Sequence, residues 1–148
     1  MCSFTVTNSK DDLISGNQFS KRRGPDHTEI IKINNIQFLH NLLHITGDKK
    51  IQPFIDNDIV CVFNGEIYNF KQLGNYESDG ECIIPLYREH GLEFAKKLDG
   101  EFAICIVDFK ESNLIIANDT FATKPLWIGT NGNEWGVASY ESSLKGCG

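Results

Sequence analysis

The residue types best suited to covalent chemistry stand at the start of the chain, where Cys2 follows Met1 directly. Removal of Met1 would leave a cysteine that carries both a thiol and a free α-amine. The reference pKa of such an amine is about 7.7–8.0, so part of it is neutral near pH 7 and can take the proton of its own thiol. A nucleophile built this way needs no histidine. A second group of interest lies in "VFNGEIYN" (62–69), where the apolar, β-branched run "IVCVF" stops at Asn64-Gly65 and "EIYNF" resumes. One reading is a two-residue hairpin, because Asn-Gly tolerates the positive φ angles of a type I′ turn. The other is that Asn64 and the Gly65 amide aim polar groups at a reacting carbonyl, which requires a nucleophile elsewhere in the chain.

Other chemistries lack their markers. The five cysteines, at 2, 61, 82, 105 and 147, are an odd number without a C-x-x-C pair. They fit neither a disulfide framework nor a zinc site, and they point to a reducing, cytoplasmic compartment. Cys61 and Cys105 sit in apolar strand-like runs, where cysteine behaves as a small hydrophobe. Cys82 follows "SDGE" at the start of a helix-like segment, where a thiol pKa can fall, and stands as a second candidate nucleophile. His40 and His44, four apart in a strand-like run, share a face but lack a third ligand, so no metal site is expected. Phosphate-loop, dinucleotide, zinc-protease and nucleophile-elbow motifs are all missing.

Stepping out to the elements that must hold these groups, 148 residues make one domain with a real core. A net charge of −6 excludes a nucleic-acid surface, and no apolar run approaches the ~20 residues of a membrane span. Strands are predicted at 3–7, 29–33, 36–45, 59–63, 66–70, 101–109, 113–119, 125–130 and 134–139. Helices are predicted within 9–21, at 79–90 opening on Asp79 as N-cap and kinked by Pro85, and at 92–98 closed by Asp99-Gly100. Many short strands with few helices imply a layered α+β fold with antiparallel sheets.

A series of short stretches falls in one order along nearly the whole chain: "MCSF", "RRGPD" (22–26), "IQPF" (51–54), "VFNGEIYN" (62–69), "SDGE" (78–81), "LDGEFAICIVD" (98–108), "NDTFATKPLW" (118–127) and "VAS" (137–139). Together they resemble the glutaminase domain of the asparagine synthetase family, the class II glutamine amidotransferases with an N-terminal nucleophile (Ntn) hydrolase fold. The resemblance implies a four-layer αββα sandwich of two antiparallel sheets, with residues 1–148 as one type-2 amidotransferase domain, and neither cofactor nor metal. It implies attack of Cys2 on the side-chain amide of glutamine, a γ-glutamyl thioester, release of ammonia and hydrolysis to glutamate. By position, Cys2 is the nucleophile and its amine the base, while the Asn64 side chain and the Gly65 N–H form the oxyanion hole. Asp79 matches the carboxylate for the substrate α-amine, and Glu66 and the backbone near Leu43 and Ile45 match other parts of the glutamine pocket.

The chain departs from that family at several places. Where "H-x-R-L-S-I" is usual it has "HNLLHI" (40–45), so Leu42 takes the place of the arginine that holds the substrate carboxylate. Losing a charged hydrogen bond of that kind weakens binding by roughly 10- to 150-fold. His44, two residues on, is the candidate to compensate if protonated. Asn118 and Ala122 replace an arginine and a glycine of the family. The chain stops soon after "VAS" and carries no synthetase domain, which makes it either a fragment truncated at its C-terminus or a stand-alone domain whose ammonia goes to a separate synthetase chain or to solvent. Two alternatives to the glutaminase follow: a pseudo-enzyme or binding module of the same fold, and an amidase for a ligand without a free carboxylate.

Overall fold

The computed structural model describes residues 1–45 and 47–144. Its strands are β1 (Ser3–Thr7), β2 (His27–Ile33), β3 (Ile36–Leu42), β4 (Phe54–Asp56), β5 (Ile59–Ile67), β6 (Gly100–Asp108), β7 (Asn113–Asn118), β8 (Trp127–Asn131) and β9 (Glu134–Ala138). Its α-helices are α1 (Leu13–Ser20), α2 (Phe70–Leu73) and α3 (Ile83–His90). The first sheet has the order β2-β3-β1-β9-β8 and the second β4-β5-β6-β7, and every pairing is antiparallel. No described helix is long and apolar enough to cross a membrane.

Strand alternation decides which residues meet between the sheets. Phe4 and Val6 of β1 and Phe38 of β3 point one way, Val60 and Val62 of β5 and Ala103, Cys105 and Val107 of β6 point the other, and together they form one buried cluster. The opposite face of the second sheet carries Ile59, Cys61, Phe63, Ile67, Ile104 and Ile106 against Ile83, Ile84, Leu86 and Tyr87 of α3. On the outer face of the first sheet, α1 is held by polar contacts: Ser3 Oγ donates to the Ser20 carbonyl at 2.8 Å, and the Asn17 and Asn41 side chains exchange hydrogen bonds at 2.7 and 3.0 Å. The layers therefore run helix, sheet, sheet, helix, an α+β sandwich.

The structure corrects several boundaries. Asn64-Gly65 is no hairpin: β5 runs unbroken through both and stays paired with β6, from Ile59 opposite Asp108 to Ile67 opposite Gly100. Gly65 is needed for another reason. It has φ 151°, and a Cβ there would collide with the Glu101 carbonyl of the adjacent strand. Beyond Ile67 the predicted strand 66–70 gives way to α2. β3 ends at Leu42, three residues before the predicted limit, which removes the shared strand face expected for His40 and His44. The cap of the 79–90 segment is Ser78, which forms a capping box with Glu81 ahead of a 3₁₀ turn at Asp79–Cys82. Pro85 does not break the helix: it lies in the first turn of α3, where a backbone N–H has no intrahelical partner. The segment Gly91–Lys97 is 3₁₀ and not α, and the short edge strand β4 was not predicted.

Candidate functional site

Cys2 precedes β1 by one residue and has the parity of Phe4 and Val6, which directs it toward the space between the sheets. Its half-buried Sγ accepts from the Leu43 N–H at 3.4 Å and lies 3.7 Å from the Leu43 carbonyl. Burial raises the thiol pKa, the contact with Leu43 and the nearby N-terminal charge lower it, and the charges of Asp79 and Glu66 raise it; the net shift is upward. The thiol therefore stays protonated at neutral pH and needs a base to attack anything. Around the Met1 amine the balance runs the other way: burial lowers its pKa, Cys2 raises it, and Arg23 and Lys124 lower it, for a net fall.

Asn64 has the parity of Val60 and Val62, so its side chain continues their row between the sheets. It is fully buried, and among the described residues neither Oδ1 nor Nδ2 has a hydrogen-bond partner. A buried amide without partners forfeits about 1–3 kcal/mol per polar group. The backbone that carries it is fixed from the side. β4 covers β5 only as far as Cys61, and beyond that point side chains replace the missing strand: Gln52 Oε1 accepts from Phe63 N–H at 2.7 Å, and Asp79 Oδ2 accepts from Ile67 N–H at 2.9 Å. His40 Nε2 lies 3.3 Å from the Phe63 carbonyl, which it can only approach as a donor. Burial pushes the His40 pKa down to about 4, so the ring is neutral. Alternation sets the Gly65 N–H on this same edge, between those of Phe63 and Ile67.

Asp79 is buried, its Oδ1 accepting from Gly80 N–H at 3.0 Å. Burial, opposed by the bond from Ile67, lifts its pKa to about 6. Glu66 is next to Gly65 and acts electrostatically on both Cys2 and the Met1 amine. Leu42 is buried and apolar, as its type requires. His44 lies past the end of β3, its N–H donating to Asp26 Oδ2 at 2.8 Å and its Nε2 lying 2.8 Å from the Gly47 carbonyl. Ile45 is exposed. Cys2, Leu43, Glu66 and Asp79 are thus linked by contacts or by charge, Asn64 is placed between the sheets by strand parity alone, and the His44 ring is engaged by Gly47.

Cys82 is not an activated thiol: it is fully buried, and burial with the neighbouring Asp79 pushes its pKa up to about 12. Cys61 and Cys105 are core residues, as expected. Among the described residues no cluster of metal-ligating side chains occurs. Sequence reading assigned no role to Gln52, Arg23 or Lys124. Each lay inside a quoted stretch, "IQPF", "RRGPD" or "NDTFATKPLW", which was the one available signal.

The pattern of a glutamine amidotransferase domain matches residues 1–147. The chain belongs to the glutamine amidotransferase domain family. This amidotransferase domain is 36% identical over 143 residues to asparagine synthetase [glutamine-hydrolyzing] 1 of Saccharomyces cerevisiae, covering 86% of the chain and 25% of that protein. It is 34% identical over 163 residues to a probable asparagine synthetase [glutamine-hydrolyzing] of Acanthamoeba polyphaga mimivirus, covering 98% of the chain and 30% of the relative. The domain thus spans a quarter to a third of the curated relatives it matches. Its fold is shared with the glutamine phosphoribosylpyrophosphate amidotransferase of B. subtilis, with TM-score 0.77 and 19% identity over 98% of this chain and 43% of that one.

Proposed function

We propose that this domain hydrolyses the side-chain amide of glutamine, with Cys2 as nucleophile after loss of Met1. The Cys2 α-amine takes the thiol proton, Sγ attacks the amide carbon, and the oxyanion receives hydrogen bonds from Asn64 Nδ2 and the Gly65 N–H. The C–N bond then breaks, the proton on the amine passes to the leaving nitrogen, and ammonia departs. Water adds to the γ-glutamyl thioester, and glutamate and the thiol are regenerated. Asp79, with Glu66 beside it, attracts the substrate ammonium, and the Leu43 backbone bounds the thiol.

The observation that carries this reading is the Asn64 side chain, wholly buried between the sheets and without a hydrogen-bond partner among the described residues. A donor held ready in a low-dielectric site acts where charge develops, and it loses no reorganisation energy at that moment. The relatives named above are glutamine-hydrolysing synthetases, and on that likeness the ammonia passes to a synthetase domain or a separate synthetase chain in the cytoplasm. The deciding experiment measures ammonia release from glutamine by protein with Met1 removed and by protein that retains it. Release confined to the processed form is the expected result; equal release from both sinks the α-amine as base. Leu42 favours a second reading, an amide ligand whose carboxylate is masked, and turnover of glutamine carboxyl-amide in preference to glutamine would establish it.

A further inference from the structure

The Met1 sulfur receives two cationic donors, Arg23 Nη2 at 3.2 Å and Lys124 Nζ at 2.9 Å. A thioether is a weak, uncharged acceptor and a poor match for either. Lys124 is only 5% exposed, and its carboxylate partner is Glu101 at 3.0 Å. Arg23 has no carboxylate partner among the described residues. It donates Nη1 to the Tyr140 hydroxyl at 2.7 Å, stacks over that ring, and keeps a buried Nε without a partner. Arg23 and Lys124 thus converge on an uncharged atom, with Glu101 the one carboxylate paired with either of them among the described residues, an arrangement that an anion would complete. Asp79 and Glu66 bear on Cys2 as well. The first two residues therefore meet a cationic pair, Arg23 and Lys124 at Met1, and an acidic pair, Asp79 and Glu66 acting on Cys2, the two halves needed for an amino-acid zwitterion.

We propose that Arg23 and Lys124 form the carboxylate subsite of this domain, filled by the Met1 side chain in the unprocessed chain and opened when the Met1–Cys2 peptide bond is hydrolysed. The inference rests on the glutamine reading above and supplies the cation that Leu42 lacks. A guanidinium and an ammonium that converge on one atom can each take one carboxylate oxygen. Loss of Met1 then has two effects at one stroke, uncovering the base and vacating the pocket.

The test uses protein with Met1 removed and compares glutamine with its carboxyl-amide. Arg23→Gln and Lys124→Gln should each lower the kcat/KM preference for glutamine about 10- to 150-fold, the range for losing a charged hydrogen bond. Lys124→Arg should retain most of that preference. A preference unchanged in both glutamine variants, or one that Lys124→Arg loses as fully as Lys124→Gln, overturns the proposal. A second arm is independent of turnover: calorimetric binding of L-glutamate to processed Cys2→Ala, alone and combined with Lys124→Gln or Arg23→Gln. Binding that weakens by the same factor supports the subsite; binding that is absent in Cys2→Ala, or unaffected by either added change, overturns it. Lys124-dependent glutamate binding by a protein that releases ammonia from neither substrate would keep the subsite and reject the hydrolysis.

Discussion

Asn41 and Asn64 are both wholly buried in strands of this molecule, yet their surroundings are opposites. Asn41, on the outer face of the first sheet, donates Nδ2 to Ser3 Oγ at 2.9 Å and to Asn17 Oδ1 at 2.7 Å, and its Oδ1 accepts from Asn17 at 3.0 Å and Thr28 at 2.9 Å. Asn64, facing the space between the sheets, has no partner among the described residues. Chemically identical groups at identical burial thus differ in whether the fold satisfies them. A satisfied amide ties α1 to its sheet. An unsatisfied one costs stability, and under the proposed function the substrate oxyanion completes it.

That contrast can be broken most directly at the nucleophile, because Asn64 has catalytic meaning only beside a reacting sulfur. Cys2→Ala should lower ammonia release about 10⁴-fold or more. A glutamine-like electrophile should label Cys2 and spare Cys61, Cys82 and Cys105, whose thiols are fully buried; labelling that survives Cys2→Ala would remove the nucleophile from the scheme. Next, Asn64→Ala should cut turnover about 10²–10³-fold while the melting temperature holds or rises, since no existing bond is lost. Full turnover with a lower melting temperature would make Asn64 structural like Asn41.

Asn41→Ala should show the reverse. It removes four hydrogen bonds and should destabilise the fold by on the order of 2–4 kcal/mol in denaturant titration, with the turnover of the remaining folded fraction little altered. The smallest effect concerns Asp79. Its carboxyl, raised to about 6, loses its charge as pH falls below that value, and with it the attraction for a substrate ammonium. The kcat/KM preference for glutamine over N-acetyl-glutamine should therefore fall by up to about tenfold per pH unit below 6 and level off above it. Using the ratio cancels protonation of the Cys2 amine, which affects both substrates alike. A flat ratio would detach Asp79 from the substrate amine.

The strand pattern was legible because period-two alternation is local, and "SFTVT" and "IVCVF" showed it without ambiguity. Asn64-Gly65 was misread as a turn because the same dipeptide serves two needs, positive φ in a hairpin and close approach of a neighbouring strand. Only the adjacent strand, whose Glu101 carbonyl abuts Gly65, tells them apart. Cys2 and Asn64 entered through residue chemistry and motif order, and Asp79 through motif order, none of them through periodicity. Arg23 and Lys124 acquire meaning only where segments more than a hundred residues apart converge on Met1. α1 could be located but not oriented, since Asn17 and Ser20 face the sheet where an amphipathic reading expects apolar residues.

Beyond Cys61 one edge of β5 has no strand paired to it among the described residues, and such an edge is a template on which another chain can add a strand. Here Gln52, His40 and Asp79 occupy the Phe63 N–H, the Phe63 carbonyl and the Ile67 N–H. The bonds that flank the proposed Asn64–Gly65 donors also occupy the positions a foreign strand would need, so one set of three side chains serves both the backbone of the proposed site and the closure of this edge.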